Sequence, residues 1–208
     1  MSNEKQKIDM DPKYLAKLSV TLFVTCVIVA GALGFVNKLT APNIAAANKA
    51  KTEAAMQAVV VDSSSEFSEP MELSAEMSQA ALDNGATLME AYEVLVGGEH
   101  AGYALKVSAS GSQGAIEMMV GVDADAACTG VSVVKHAETK GIGTKVVVDN
   151  AIVKATGVAV LDQFQGKTQA DLPLTVGSNV DAIGGATVST KGVTTGVNAA
   201  MAVAAVMG

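Results

Sequence analysis

The pattern of apolar and polar positions divides the chain into an uncharged N-terminal stretch, a polar connecting region and a C-terminal half with alternating apolar residues. Residues 18–36 carry no charged side chain. At about 1.5 Å per residue a helix of this length spans roughly 28 Å, close to the hydrocarbon core of a bilayer. A secretory signal peptide would have a shorter apolar region and a small-residue cleavage site, whereas this stretch continues into Asn37 and Lys38. We therefore expect an uncleaved transmembrane anchor over residues 18–36.

The distribution of lysines around this stretch indicates the topology. Four lysines precede it, and three follow it before residue 52: Lys5, Lys7, Lys13, Lys17, and then Lys38, Lys49 and Lys51. Positive charge favours the cytoplasmic side. We therefore expect residues 1–17 in the cytoplasm, a single-pass protein in the cell membrane, and a soluble domain outside the cytoplasm.

The rest of the chain predicts an α+β domain after a helical connector. The connector, residues 37–85, combines a helix over 41–61, a surface loop over 63–70 and a short helix over 71–82. Two hairpins follow, pairing 87–96 with 101–109 and 115–122 with 129–135. Helices are predicted over 144–156, 158–164 and 188–206, and a short edge strand over 172–176.

The last of these helices, residues 188–206, is apolar enough to raise the alternative of a second membrane span. Lys191 and several hydroxyl side chains near its start favour a buried helix instead. The predicted domain, residues 86–208, is thus an antiparallel sheet packed with helices.

Composition excludes several classes of function. The net charge is −7, from 14 basic and 21 acidic residues, and aromatic residues make up 3% of the chain. A protein that binds nucleic acid needs a basic face, so none is expected as a partner. All 14 basic residues are lysines. A bound phosphate must therefore be held by backbone N–H groups, hydroxyls or lysines, since no guanidinium is present.

Metal centres and nucleophilic triads are also unsupported. Cys26 lies within the apolar stretch and Cys128 in the soluble part, so a disulfide between them is implausible and both are best interpreted as small buried residues. Neither belongs to a Cys-x-x-Cys pair, and His100 and His136 lack a partner at metal-ligand spacing. We expect no metal site.

The segment 181–190, Asp-Ala-Ile-Gly-Gly-Ala-Thr-Val-Ser-Thr, is the most informative part of the chain. Gly184 and Gly185 form a turn that opens the last helix, and Thr187 lies at the helix start. Free N–H groups and the helix dipole favour a phosphate there. The hydroxyl of Thr187 could contact such a phosphate or be esterified by it. The simple alternative is that Thr187 only caps the helix.

A second glycine-rich segment, residues 136–143, follows the last predicted strand. Gly141 and Gly143 would allow a flat ligand to approach the backbone, and Ile142 could cover a ring face. Glu138 and Thr139 could form hydrogen bonds with polar ring edges. An ordinary turn would show the same pattern.

Both segments resemble motifs of the covalent FMN-binding-domain family. Asp181, Gly185, Ala186 and Thr187 match its flavinylation motif, with further hydroxyls at Ser189 and Thr190; Gly184 departs from the usual Ser or Thr. Glu138, Thr139, Gly141 and Gly143 match a family loop of sequence Glu-Thr-Pro-Gly-Leu-Gly, with Ile142 for Leu and Lys140 for Pro. Segments 111–123 and 129–135 resemble the strands that open the domain.

The resemblance implies FMN esterified to Thr187 by a flavin transferase. It also implies flavin contacts from two segments, namely Glu138, Thr139, Gly141, Ile142 and Gly143, and Gly185, Ala186 and Ser189. With its anchor and length, the chain is similar to the G-type subunits of Rnf electron-transport complexes. The C-type subunit of the sodium-pumping NADH:quinone oxidoreductase is the related alternative.

A member of the Rnf G-type family would relay electrons in a ferredoxin:NAD oxidoreductase coupled to sodium or proton movement. Its partners would be the membrane, flavin and iron–sulfur subunits of the complex. An alternative of a different class is an anchored, cofactor-free structural domain, for which Thr187 would be dispensable.

Overall fold

The computed structural model describes residues 12–207, which fall into two compact units, one ending at Asn48 and one beginning at Lys49. Helix α1 runs from Pro12 to Ala58 and contains Pro42. Among the described residues it is the one helix long and apolar enough to cross a membrane. Lys5 and Lys7, on which the predicted topology partly depends, lie outside the described residues.

A five-stranded antiparallel sheet forms the centre of the second unit. Its strands are neighbours in chain order: β1 (Glu66–Phe67), β2 (Ala86–Val96), β3 (Glu99–Ser110), β4 (Ala115–Asp123) and β5 (Cys128–Lys135). Both predicted hairpins are confirmed, since β2 pairs with β3 and β4 pairs with β5. The predicted α+β class is confirmed as well.

Strand β1 corrects the prediction of a surface loop over residues 63–70. Glu66 and Phe67 pair with Leu95 and Val94 at the edge of the sheet. A strand of two residues is too short to show an alternating pattern, so it forms through its partner strand rather than through its own sequence.

Helix α2 (Ala75–Asp83) begins four residues later than predicted. The side chain of Ser74 accepts a hydrogen bond from the Met77 N–H and so caps the helix. The preceding residues extend along the sheet, where the Met71 N–H donates to the Ala91 carbonyl.

The last helix, α4 (Thr187–Met207), packs on one face of the sheet and forms the main core. The strand residues of this core include Leu105, Val107, Ile116, Met118 and Val120, and its helix residues include Val193, Val197, Ala200 and Met201. All of these side chains are buried. The apolar character of α4 is therefore that of a core helix.

The opposite face of the sheet is covered by the end of α1. Ala55, Met56 and Val59 form a second apolar cluster there with strand residues such as Val94 and Met119. A partly buried ion pair lies on the same face. Lys106 Nζ is 2.7 Å from Glu90 Oε1, and the Tyr92 hydroxyl donates to the other oxygen of that carboxylate at 2.6 Å.

The helices predicted over 144–156 and 158–164 are wrong, except at the start of the first and the end of the second. Helix α3 covers only Thr144–Val147, and a short 3-10 turn covers Asp162–Phe164. Between them Asn150 has a φ of 42°, and its side-chain oxygen accepts the Leu161 N–H at 2.8 Å. The left-handed backbone conformation of Asn150 prevents the helix from continuing, because it turns the chain towards Leu161.

The edge strand predicted over 172–176 is also wrong. Val176 forms only an isolated bridge with Val180. The backbone N–H and carbonyl of Leu174 are bonded instead to the side chain of Asn198 on α4, each at 2.9 Å. A side-chain amide thus replaces a neighbouring strand, and the alternating pattern alone does not reveal this.

Candidate functional site

A cavity of about 180 Å³ lies where the 136–143 loop, the turn after β3 and the start of α4 meet. The residues lining it are Ser112, Glu138, Thr139, Ile142, Gly143, Gly185, Ala186, Thr187, Val188 and Ser189. Two segments almost fifty residues apart in sequence thus share one cavity. Of the nine predicted site residues, eight line it. Gly141 belongs to the same loop but does not line the cavity.

A tight turn before α4 exposes its first residue. The Ala186 N–H donates to the Ile183 carbonyl at 2.9 Å, and Gly185 between them has a φ of +83°. The Ala186 carbonyl accepts the Thr190 N–H at 3.0 Å, which is the first bond of the helix. Ala186 therefore occupies the N-cap position and Thr187 is the first helical residue. The alternative in which Thr187 is merely the N-cap is wrong.

The three hydroxyl groups at the start of α4 differ in availability. The Thr190 hydroxyl donates to the Ala186 carbonyl, and the Ser189 hydroxyl donates to the Glu138 carboxylate; both side chains are buried. Thr187 is exposed at the cavity, and within residues 12–207 its hydroxyl has no hydrogen-bond partner. Thr187 is thus the one free hydroxyl of the three.

Backbone donors surround this hydroxyl. The N–H groups of Thr187, Val188 and Ser189 have no acceptor among the described residues. They belong to the first turn of a helix of 21 residues, where the helix dipole is positive. The arrangement suits an anion held at Thr187, without any arginine.

Glu138 lines the cavity, and both of its carboxylate oxygens already accept hydrogen bonds from the protein. Its side chain is 7% exposed. One carboxylate oxygen accepts the N–H groups of Ser112 at 2.7 Å and Gln113 at 3.2 Å. The other oxygen accepts the Ser189 hydroxyl. The expected hydrogen bond from Glu138 to a ligand ring therefore competes with three existing bonds.

Apolar side chains stand at the mouth of the cavity. Ile142 from the loop and Val188 from α4 line it and remain 52% and 55% exposed. The loop that presents Ile142 is closed locally, since the Ile142 N–H donates to the Thr139 carbonyl and the Gly141 N–H donates to Thr144 Oγ1. Two exposed aliphatic side chains beside a cavity are suited to contact a flat apolar ring.

Two lining residues, Ser112 and Val188, are absent from the predicted site. Ser112 lies in the glycine turn 111–114, which the sequence indicates only as part of the fold. Val188 follows Thr187 directly, and its place inside the motif is the available signal. Both residues reach the cavity through the backbone conformation of their turns, which the spacing of residues in the sequence does not specify.

The two histidines lie elsewhere in the hydrogen-bond network. His136 Nδ1 accepts the Glu138 N–H at 3.2 Å, and His100 Nδ1 is 2.8 Å from Glu93 Oε1. Within residues 12–207, no group of three or more metal-ligating side chains is assembled.

Comparison of the sequence with known proteins places this chain in a family. Residues 111–202 match the FMN-binding domain. The G-type subunit of the Na⁺-translocating ferredoxin:NAD⁺ oxidoreductase complex of Acetobacterium woodii is 32% identical over 203 residues, covering 93% of each chain. The G-type subunit of the ion-translocating oxidoreductase complex of Methanosarcina acetivorans is 28% identical over 92% of this chain and 95% of its own. Its counterpart in Aliivibrio fischeri is 40% identical over 81 residues, covering 38% of this chain and 35% of its own. By its identity over nearly the full length of the Acetobacterium woodii subunit, this chain belongs to the family of G-type subunits of ion-translocating oxidoreductase complexes and contains an FMN-binding domain.

Proposed function

We propose that this chain is the membrane-anchored electron-transfer subunit of an Rnf-type complex and carries FMN esterified to Thr187. The observation that carries the assignment of the attachment residue is the free, exposed hydroxyl of Thr187 at the start of α4. The neighbouring hydroxyls of Ser189 and Thr190 are buried and already bonded.

The residues around the cavity fit FMN. The unpaired N–H groups at the start of α4 would hold the phosphate, and Ile142 and Val188 would contact the isoalloxazine. Ser112 and Thr139 offer hydroxyls for its polar edges. When bound, FMN supplies both one-electron and two-electron transfer.

The attachment step is a phosphoryl transfer to Thr187. Its Oγ1 forms a new bond to phosphorus, its proton passes to a base of the flavin transferase, and the P–O bond to the leaving group of an activated flavin phosphate breaks. The turn at Gly185 assists this step, since it leaves the Thr187 hydroxyl exposed to a second protein.

The anchor defines where this carrier works. Helix α1 fits a single-pass anchor, and we propose that residues 1–17 lie in the cytoplasm and residues 86–208 form the FMN domain outside it. Covalent attachment would prevent loss of the cofactor there. We propose that its partners carry flavin and iron–sulfur centres and that electron transfer in the complex is coupled to sodium or proton movement. The name of one relative, a subunit of a Na⁺-translocating ferredoxin:NAD⁺ oxidoreductase complex, supports this proposal.

In-gel flavin fluorescence after denaturing electrophoresis tests the proposal. The wild type, Thr187→Ala and the exposed surface control Thr156→Ala would be purified from the native host. We expect fluorescence in the wild type and control and none in Thr187→Ala. A dark wild type beside another fluorescent flavoprotein of that host would refute the covalent attachment of FMN.

A further inference from the structure

We propose that Glu138 is a positioning residue, which sets the flavin site through its hydrogen bonds to the protein and not through contact with the flavin. The proposal rests on the proposed attachment of FMN to Thr187. Among the described residues, Glu138 is the one buried carboxylate. Burying such a group is costly unless donors compensate, and Glu138 has three.

These three donors belong to two segments far from Glu138 in sequence. Ser112 and Gln113 lie in the turn between β3 and β4, and Ser189 lies in the first turn of α4. The carboxylate thus connects the 136–143 loop to both other walls of the cavity. Ser189 is 1% exposed, so water does not compete for its bond.

Two glycines leave the space that this carboxylate occupies. A Cβ built at Gly111 would overlap one carboxylate oxygen, and a Cβ built at Gly143 would overlap the other. The Gly143 Cβ would also stand 2.9 Å from the Ser189 hydroxyl oxygen. The backbone on both sides is therefore shaped around the side chain of Glu138.

The consequence concerns Thr187, two residues before Ser189. The bond between Ser189 and Glu138 fixes the first turn of α4 against the loop, and so fixes where the Thr187 hydroxyl stands relative to Ile142. Glu138 thereby presents the attachment residue beside the ring pocket before the cofactor arrives. It touches neither the hydroxyl that reacts nor the attacked phosphorus.

The test compares Glu138→Ala, Glu138→Gln and Ser189→Ala in the full chain from the native host. Glutamine preserves the geometry, because its oxygen can accept both N–H groups and its amide can donate to Ser189. We expect flavin per chain to fall at least about tenfold in Glu138→Ala, to fall less in Ser189→Ala, and to stay within about twofold of wild type in Glu138→Gln. Glu90→Ala, which removes a partly buried carboxylate away from the cavity, should retain its flavin.

A second readout does not need the flavin. In the Thr187→Ala chain, hydrogen exchange at the Ser112 and Gln113 amides should become at least about tenfold faster when Glu138→Ala is added, and should not change with Glu90→Ala. Unchanged exchange together with full flavin loading of Glu138→Ala would overturn the proposal. Equal flavin loss in Glu138→Gln and Glu138→Ala would also overturn it, since charge rather than geometry would then be required. A dark wild type would refute the attachment of FMN, and exchange would still decide whether Glu138 holds the turn.

Discussion

Gly192 of α4 lies against the carbonyl oxygen of Ser110 at the end of β3, and a Cβ built at position 192 would stand 2.6 Å from that oxygen. Ser110 directly precedes the turn that carries Ser112 and closes the cavity. The close approach of α4 to the end of β3 therefore lies next to the turn that lines the cavity.

Substitution of Gly192 should disturb both stability and flavin attachment. We expect Gly192→Ala to lower the free energy of unfolding by about 1–3 kcal/mol, since a backbone carbonyl cannot move aside as a side chain can. Gly196→Ala is the matched control, because its Cβ would meet only side-chain atoms, the nearest being those of the flexible Met118. Denaturant unfolding in detergent and in-gel fluorescence measure the two effects. Equal losses in both variants would contradict the interpretation.

The two glycines before Thr187 should respond differently to alanine. Gly185 has a φ of +83°, which an alanine adopts at a cost of about 1–2 kcal/mol, whereas no such strain and no neighbouring atom opposes a side chain at Gly184. We expect Gly185→Ala to reduce flavin loading and Gly184→Ala to leave it unchanged. Gly184→Ser, which restores the usual family residue, should also load fully. Flavin absorbance per chain gives the comparison, and normal loading of Gly185→Ala would count against the role of the turn.

The partly buried ion pair between Glu90 and Lys106, on the face of the sheet opposite α4, should give a pH-dependent contribution to stability. Burial alone would raise the pKa of Glu90, but the hydrogen bonds from Lys106 and Tyr92 and the charge of Lys106 outweigh it and hold that pKa below its ordinary value of 4.5. The unfolded chain then binds a proton more readily than the folded one, so the stabilisation is complete above pH 4.5 and is lost as the pH falls below it.

Glu90→Gln isolates this contribution. We expect the melting temperature of the wild type to fall more steeply than that of Glu90→Gln as the pH is lowered from about 6 to about 3.5. Other carboxylates titrate in both chains and cancel in the comparison. Parallel curves would show that the ion pair does not contribute.

Cys128 should be an inert thiol in the folded chain. Burial raises the pKa of this side chain to about 12. In a Cys26→Ser chain, which leaves one thiol, labelling by a soluble maleimide at pH 8 should be at least about a hundredfold slower in the folded than in the unfolded state. Rapid labelling of the folded chain would show that β5 opens at this position.

The sheet and the last helix are predictable because their patterns are long. The strands β2 to β5 span eight to twelve residues each, and α4 spans 21, so periodicity identifies them directly. Two of the segments where the prediction is wrong are each held by the side chain of one asparagine. Asn150 lies within the first segment and accepts the Leu161 N–H, and Asn198 of α4 satisfies the backbone of Leu174.

The site shows the same division. The motif around Thr187 and the loop around Glu138 are recognisable from resemblance, and the structure brings them to one cavity. The hydrogen bonds of Glu138 with Ser112 and Ser189 cannot be recognised from the sequence, because these three residues, separated by up to 77 positions, meet only after folding.

Peptide mass spectrometry of the chain purified from its native host tests the central claim most directly. Fragment ions should locate a mass increase equal to FMN less one water on Thr187, with Ser189 and Thr190 unmodified. Flavin on either of those two hydroxyls, or an unmodified peptide while other flavinylated proteins of the same host carry their flavin, would contradict the account.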